Sequence, residues 1–307
     1  MAKVKTFKTI FPAVSVPLND DYSINEPEFR AYLRWIKSFY GKGIEGLVCN
    51  GHTGEITGLT RAERKRVVEI CAEECGDKMT IISGVNCENT AESIEMAKEA
   101  KEAGADGILL MPPHMWLRFG MNPNAPFEYI KDVAEGADID IIIHLYPATS
   151  KAFYPVETLI KMCKEIDHVK CIKMGTRVTS IYEHDVRLLR QECPDISLIT
   201  CHDETLCVSW FPGMDGALIG FAGCVPELIC PAWDVFSHPE KHTLKEAQDW
   251  SNRIYHISQA IYGGGQPSGE AHARLKEALY QRGIFTSALM RKPVLPLNQE
   301  EKDWVAL

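Results

Sequence analysis

A lysine in the middle of the chain is the residue best suited to covalent chemistry. Lys173 lies in the run His168-Val-Lys-Cys-Ile-Lys-Met-Gly175. The two-residue period of a strand puts Lys173 on the same face as Cys171. If that face is buried, the ammonium group loses hydration and its pKa falls from about 10.4 towards 7 or 8, which frees the amine to attack a carbonyl. The alternative is that the lysine ends its strand in solvent or pairs with a carboxylate.

A glycine-rich turn, Gly51-His52-Thr53-Gly54-Glu55, follows an apolar run. Its glycines let backbone N–H groups approach a ligand closely, and such a turn can hold a carboxylate. Taken alone the signal is weak, because most glycine-rich turns only reverse the chain. Polar residues also follow several other apolar runs, and the full set is Asn50, His52, Thr53, Glu55, His114, His144, Tyr146, Lys173, His202 and Asp203.

Short apolar runs alternate with segments of helical period along the chain, which predicts repeated βα units on a parallel sheet. The predicted strands are Phe11–Pro17, Gly46–Asn50, Thr80–Gly84, Gly107–Met111, Asp140–His144, Val169–Lys173, Ser197–Cys201 and Gly216–Gly220. Their regular spacing favours an α/β protein of the (β/α)8 TIM barrel type over a doubly wound open sheet. In such a barrel the active site forms at the carboxyl ends of the strands, where the polar residues named above fall.

The segments between the strands carry helix signals. Thr60 and Glu63 form a capping box that opens a helix over 61–75, and 91–103 and 156–164 are further predicted helices. Two helices after the eighth unit, 241–261 and 268–281, predict a C-terminal helical extension. We therefore expect a single domain over 1–307, with the barrel in 8–235 and C-terminal helices in 236–307.

The last of these helices carries Glu270 and Arg274 four residues apart, which predicts a surface ion pair. His272 lies between them in the sequence. The alternative is that His272 faces the site.

Composition narrows the class of partner. The chain has 307 residues, a formal net charge of −9 and 45% hydrophobic residues, with no basic run. Nucleic acid is therefore not expected as a partner. No signal segment opens the chain and no stretch reaches the roughly 20 apolar residues of a membrane span, so we expect no membrane partner and a cytoplasmic location. The 11 cysteines form no Cys-x-x-Cys pair, which favours free thiols.

Four segments together resemble the dihydrodipicolinate synthase and N-acetylneuraminate lyase family over roughly residues 8 to 297. They are the Gly51–Glu55 turn, the Val-x-x-Ile-Lys strand that ends at Lys173, His144-Leu-Tyr-Pro147, and Arg291-Lys-Pro-Val-Leu-Pro296. The resemblance implies a Schiff base between Lys173 and pyruvate or another 2-oxo acid, with no cofactor. It also implies that Thr53 and its backbone N–H hold the carboxylate, and that the chain forms a homo-oligomer, a tetramer.

The sequence departs from the family pattern around this lysine. His144 stands where the synthases have a catalytic Tyr, and Tyr146, two residues later, faces the same side, so either can carry the proton. His52 replaces a Thr and His114 a Tyr, while Thr149 stands where an Arg binds the second carboxylate, with Lys151 nearby. Gly51 and Gly220 complete the expected substrate-binding set. We therefore expect an aldolase or dehydratase acting on another 2-oxo acid, not the lysine-pathway synthase.

Two other functions stay open. In the first, four histidines and two carboxylates at strand ends bind Zn²⁺ in a metal-dependent hydrolase or aldolase. These residues are His52, His114, His144, His202, Glu55 and Asp203. No His-x-His pair occurs, however, and no metal is expected. A non-catalytic sensor of a 2-oxo acid is the other alternative. The rest of the substrate, and the choice between aldol chemistry and dehydration, depend on the shape of the pocket.

Overall fold

The structure, a computed structural model, describes residues 3–263 and 268–306. The strands within those ranges are β1 Ile10–Pro12, β2 Gly46–Cys49, β3 Thr80–Val85, β4 Gly107–Leu110, β5 Asp140–His144, β6 Val169–Met174, β7 Ser197–Thr200 and β8 Gly216–Ile219. The helices are α1 Glu26–Lys37, α2 Arg61–Cys75, α3 Thr90–Glu102, α4 His114–Phe119, α5 Ala125–Ala137, α6 Val156–Glu165, α7 Thr179–Glu192, α8 Leu206–Trp210, α9 Phe221–Cys224, α10 Pro226–Ser237, α11 Leu244–Tyr262, α12 Gly269–Gln281 and α13 Gln299–Val305. A short 3-10 helix, Asp203–Thr205, follows β7. None of these described helices has the length and apolar character that crossing a bilayer requires.

The strands form one parallel sheet in the order β1-β8-β7-β6-β5-β4-β3-β2. Its two ends meet, because Ala13 bridges Val48 in parallel register and the Val14 N–H donates to the Val48 carbonyl at 3.0 Å. The prediction of a (β/α)8 TIM barrel with a C-terminal helical extension is confirmed. Closure brings the carboxyl ends of all the strands to one mouth.

Burial explains why the strands read as continuous apolar runs in the sequence. The residues of β2, β3, β4, β7 and β8 are all buried, as expected for a parallel sheet with side chains inside the ring and helices outside it. Most strand bounds agree with the prediction within one residue. The exception is β1, which ends at Pro12 because its ladder with β8 stops at the Pro12–Ile219 pair.

The capping signal at Thr60 also predicted a helix start correctly. The α2 helix begins after Thr60, whose side chain and Glu63 form the expected reciprocal capping box. All 11 cysteines are free thiols, and most of them are buried.

The C-terminal helices fold back onto the barrel, and this changes the environment of α12. The side chain of Arg274 is buried, with Nη1 3.3 Å from the Glu301 carboxylate and Nε donating to the Ile261 carbonyl. The predicted surface pair of Glu270 and Arg274 is therefore wrong. Packing of α12 against α11 and α13 removes this face from solvent.

Candidate active site

Lys173 lies near the carboxyl end of β6 and points into the barrel mouth. Its side chain is half-buried and lines a cavity. Its Nζ lies 3.2 Å from Nε2 of His144. Burial lowers the pKa of Lys173; the nearby charge of Arg177 acts in the same direction, whereas Cys201 and Asp203 oppose it. Burial therefore increases the fraction of the neutral amine, which is the nucleophilic form.

The contact between Lys173 and His144 follows from strand register. His144 ends β5, and its Cα is the ladder partner of Lys173 on β6. Gly175, two residues further on, keeps the strands in close approach, because a Cβ there would lie 2.0 Å from the Leu145 carbonyl oxygen. The two functional side chains are thus held side by side by backbone pairing.

His144 is buried, and burial followed by the charge of Lys173 holds the pKa of its imidazole well below the usual value. The ring is therefore neutral. Its Nδ1 has no hydrogen-bond partner in the described part of the chain, so only Nε2, the atom next to Lys173, is engaged. A neutral imidazole at this distance can accept a proton from the amine or return one.

Tyr146 forms a second polar pair with His52. Its hydroxyl lies 3.3 Å from His52 Nε2, and its ring packs edge-on against His144 with centroids 4.8 Å apart. Burial raises the pKa of the Tyr146 phenol and, together with the charge of Lys173, lowers the pKa of His52 to about 3. Both groups are neutral near pH 7, so the hydroxyl can donate to the imidazole.

The glycine-rich turn is bounded by two residues with left-handed backbone conformations, Asn50 (φ 51°) and Glu55 (φ 55°). Such strain persists only where surrounding contacts hold it. Asn50 Nδ2 donates to the Ser83 hydroxyl at 3.1 Å, and the Glu55 carboxylate pairs with Lys276 at 2.5 Å in the interior. The turn is therefore anchored at both ends.

These residues surround a cavity of about 320 Å³ at the mouth of the barrel. Most of the predicted site residues line it: Gly51, His52, Thr53, His114, His144, Tyr146, Lys173 and Gly220. They come from different strand ends, which the closed ring brings together.

Other predicted residues lie at the edge of this cavity or away from it. Thr149 is exposed and does not line the cavity. His114 begins α4 at the rim, where its Nδ1 lies 3.4 Å from the Glu88 carboxylate. His202 is buried against the ring of Tyr182, with centroids 4.9 Å apart, outside the cavity.

The cavity also contains residues that the sequence analysis did not assign to a 2-oxo acid site. Arg177 follows β6, Asp203 follows β7, and Tyr262 and His272 come from the C-terminal helices. The strand-end rule had already named Asp203, and the same rule could have found Arg177. His272 was one of the alternatives considered from the sequence, whereas Tyr262 left no signal, because its approach depends on how α11 folds back.

His272 extends the group of imidazoles on this wall. Its ring stacks on His52 with an interplanar angle of 8° and a centroid separation of 6.5 Å. Burial, followed by the charge of Lys173, lowers the pKa of His272 to about 4. The structure therefore agrees with the alternative in which His272 faces the site.

The metal hypothesis requires several ligand side chains that meet at one point. Across residues 3–263 and 268–306, no three His, Cys, Asp or Glu side chains converge on a common point suitable for an ion. The two carboxylates of the metal hypothesis have other partners: Glu55 pairs with Lys276, and Asp203 accepts hydrogen bonds from the Phe221 N–H at 2.9 Å and the Gly220 N–H at 3.2 Å.

Fold and cavity define the class of protein: a (β/α)8 barrel with a lysine in the cavity at its carboxyl mouth. The chain matches the dihydrodipicolinate synthetase family over residues 6–306, and it belongs to this family.

Known relatives span nearly the whole chain. A 4-hydroxy-tetrahydrodipicolinate synthase of Bartonella bacilliformis is 25% identical over 298 residues, 96% of this chain and 95% of the relative. An uncharacterized DapA-like lyase of Pyrococcus horikoshii is 29% identical over 292 residues, 95% of each chain. The structure of YagE, an E. coli K12 prophage protein of the same family crystallised with pyruvate, superimposes with a TM-score of 0.86 at 20% identity, covering 98% of this chain and 97% of that one. The chain thus has the fold of a family of lyases.

Proposed function

We propose that this protein is a lyase that binds a pyruvate-type 2-oxo acid as a Schiff base on Lys173 and catalyses aldol cleavage, aldol addition or dehydration. The observation that carries the proposal is the Lys173 amine in the cavity, 3.2 Å from a neutral imidazole and with a lowered pKa. Perturbed lysines in a cleft are typical of amine nucleophiles. The family membership supports the same chemistry.

In the proposed mechanism the neutral Lys173 amine attacks C2 of the 2-oxo acid, forming the C–N bond and a carbinolamine. Loss of the former carbonyl oxygen as water gives a protonated imine. The imine accepts the electron pair of a bond to C3, whether the C3–H bond of pyruvate or the C3–C4 bond of an aldol, and an enamine results. Dehydration instead starts from the imine of a 4-hydroxy-2-oxo acid, which loses a C3 proton to a base and gives an enamine that still carries C4. This enamine expels the C4 hydroxyl, which takes up a proton and leaves as water, and the resulting unsaturated imine is hydrolysed.

We propose different tasks for the two polar pairs. The distance from His144 Nε2 to Nζ supports His144 as the carrier that moves protons during formation and hydrolysis of the imine. Tyr146 and His52 lie on the same wall, and their hydrogen bond supports a role in orienting the substrate. Thr53, Gly51 and the turn N–H groups would hold the carboxylate of the 2-oxo acid.

Reductive trapping tests the proposal. Incubation with pyruvate and sodium borohydride should convert Lys173 to a carboxyethyl-lysine that peptide mass spectrometry locates. Lys173→Ala should abolish the adduct. Lys170→Ala is the matched control, because Lys170 lies on the same strand with its side chain exposed, and its adduct yield should equal that of the unsubstituted protein.

The same experiment separates the alternatives. An adduct together with turnover of a 2-oxo acid supports the lyase, whereas an adduct without turnover across a panel of sugar-derived 2-oxo acids supports the sensor. Activity that EDTA removes, with no adduct, would establish the metal-dependent enzyme and overturn the proposal. Pyruvate release and water loss, followed separately, distinguish aldol cleavage from dehydration.

A further inference from the structure

The glycine-rich turn carries a row of backbone donors that the protein itself does not use. The N–H groups of His52, Thr53 and Gly54 make no hydrogen bond to any residue that the structure describes. The Glu55 N–H, by contrast, donates to the His52 carbonyl at 3.0 Å and closes the turn. Successive free N–H groups in a turn can hold an anion, and His52 and Thr53 line the cavity. Binding of a carboxylate there depends on the direction in which these groups point.

Glu55 fixes the end of this turn through contacts with the C-terminal part of the chain. Its backbone lies in the left-handed region, with φ 55°, and such strain persists only where surrounding contacts hold it. Its Oε1 accepts a hydrogen bond from Lys276 Nζ at 2.5 Å, and its Oε2 accepts one from the Arg291 N–H at 2.8 Å. Lys276 Nζ also donates to the Leu289 carbonyl at 2.7 Å. The Glu55 side chain cannot rotate without breaking these bonds, so they hold the orientation of the turn.

The ion pair between Lys276 and Glu55 lies in the interior of the protein. The side chain of Lys276 is 1% exposed and that of Glu55 is 7% exposed. Moving two charges out of water costs free energy that their attraction often only balances, so two apolar side chains of similar size frequently stabilise a fold as well as such a pair does. A buried pair that includes the last residue of a binding turn therefore points to a geometric role.

We propose that Lys276 is a positioning residue for the substrate carboxylate: by holding Glu55, it aims the free N–H groups of the turn into the cavity. This inference rests on the proposed function, in which the turn holds the carboxylate of the 2-oxo acid. Lys276 does not line the cavity, so it acts through the turn and not by contact with the substrate. The C-terminal helical extension thereby becomes part of the substrate-binding machinery.

A general structural role is the competing explanation, and α12 itself offers a matched control. Arg274, on the same helix, forms a second largely buried ion pair, with Glu301 at 3.3 Å. Neither of these two residues lines the cavity. The double variants Lys276→Met, Glu55→Gln and Arg274→Met, Glu301→Gln each remove both charges of a pair, so neither variant leaves one charge buried alone.

Exchange of the methyl protons of pyruvate with D2O, followed by NMR, gives a KM and a kcat for each protein. In Lys276→Met, Glu55→Gln the KM should rise about 10- to 100-fold, the range for loss of charge-assisted hydrogen bonds to a carboxylate. The kcat should stay within about 3-fold, because a loss of binding alone leaves the later chemical step unchanged. Arg274→Met, Glu301→Gln should leave both values unchanged.

Propanoate has the carboxylate without the ketone, so its dissociation constant, measured by NMR titration, does not depend on Schiff-base chemistry. It should rise by the same factor as the KM in Lys276→Met, Glu55→Gln.

An unchanged dissociation constant of propanoate in that variant would overturn the proposal. So would equal effects in the two double variants, a loss confined to kcat, or no binding of propanoate by the unsubstituted protein. If the unsubstituted protein exchanges no pyruvate protons but propanoate still binds more weakly to Lys276→Met, Glu55→Gln, the Schiff base is removed and the positioning role stands.

Discussion

At the scale of single residues, the reactivity of the cavity depends on which groups stay neutral. Burial acts on each group in the direction that disfavours its charge, so Lys173, His144, His52 and His272 have lowered pKa values and Tyr146 a raised one. An amine with a lowered pKa beside a neutral imidazole has a larger neutral, nucleophilic fraction than an ordinary lysine. His144 lies within hydrogen-bond reach of the amine, and on this ground we propose His144 over Tyr146 as the proton carrier.

Exchange of the pyruvate methyl protons with D2O, followed by NMR, measures proton transfer without knowledge of the full substrate. His144→Phe removes the imidazole next to Nζ and should slow exchange about 10²- to 10⁴-fold, the usual range for loss of an acid–base group. Tyr146→Phe removes only the hydroxyl that contacts His52 and should have the smaller effect. A larger loss in Tyr146→Phe would assign the proton transfer to the phenol instead.

The same pKa shift predicts the pH dependence of imine formation. Because the folded-state pKa of Lys173 is lowered, the fraction of neutral amine rises as the pH rises through that value, which is below the usual one. The initial rate of trapping should therefore increase with pH and level off below the pKa of an ordinary lysine. Trapping rates across a series of buffers give the curve. A rate that keeps rising to the pKa of a free lysine would show that the amine is not perturbed.

At the scale of elements, α12 joins the C-terminal extension to the substrate-binding turn. It carries His272 into the cavity and, one turn further on, carries Lys276 to the buried carboxylate of Glu55. Lys276 also donates to the Leu289 carbonyl at 2.7 Å, and Glu55 accepts from the Arg291 N–H at 2.8 Å. The turn, the helix and the final segment are thus joined by one interior network.

Lys276→Met should destabilise the protein by about 3–5 kcal/mol, because it leaves the Glu55 carboxylate buried without its cation. The double variant Lys276→Met, Glu55→Gln should lose clearly less than the sum of the two single losses. Urea unfolding gives the free energies. Arg61→Ala, which breaks the exposed Arg61–Glu99 pair, is the control and should leave the free energy of unfolding nearly unchanged. Additive losses in the double variant would show that the pair is not coupled.

At the scale of the whole molecule, closure of the barrel concentrates histidines in one interior space. His52 and His272 have folded-state pKa values of about 3 and 4, against an ordinary value of 6.5. Below pH 6.5 the unfolded chain therefore takes up protons that the folded state cannot, and stability falls as the pH decreases towards 4. Asp203, whose pKa burial raises to about 6, acts in the opposite direction between pH 6 and its ordinary 3.8.

Replacement of one of these imidazoles should flatten the acid side of the stability profile. When the pH falls from 7 to 5, the free energy of unfolding of His272→Gln should decrease by about 1–2 kcal/mol less than that of the unsubstituted protein. The reason is that the variant lacks one imidazole that is protonated in the unfolded chain but stays neutral in the folded state. Urea unfolding at the two pH values measures the difference. His256→Gln, which removes an exposed histidine, should leave the profile unchanged. Parallel profiles for all three proteins would refute the assignment.

The sequence by itself determined the barrel, most strand ends and the lysine at the mouth, because these depend on short-range periodicity. These local patterns are the apolar runs of strand length, the Thr60–Glu63 capping box and the two-residue period that places Lys173 on the inner face of its strand. The tertiary structure decided which distant residues share the cavity. Strand register placed His144 against Lys173, and the packing of the C-terminal helices brought in His272 and buried Arg274. Those contacts join segments far apart in the chain, and local periodicity carries no information about how such segments pack.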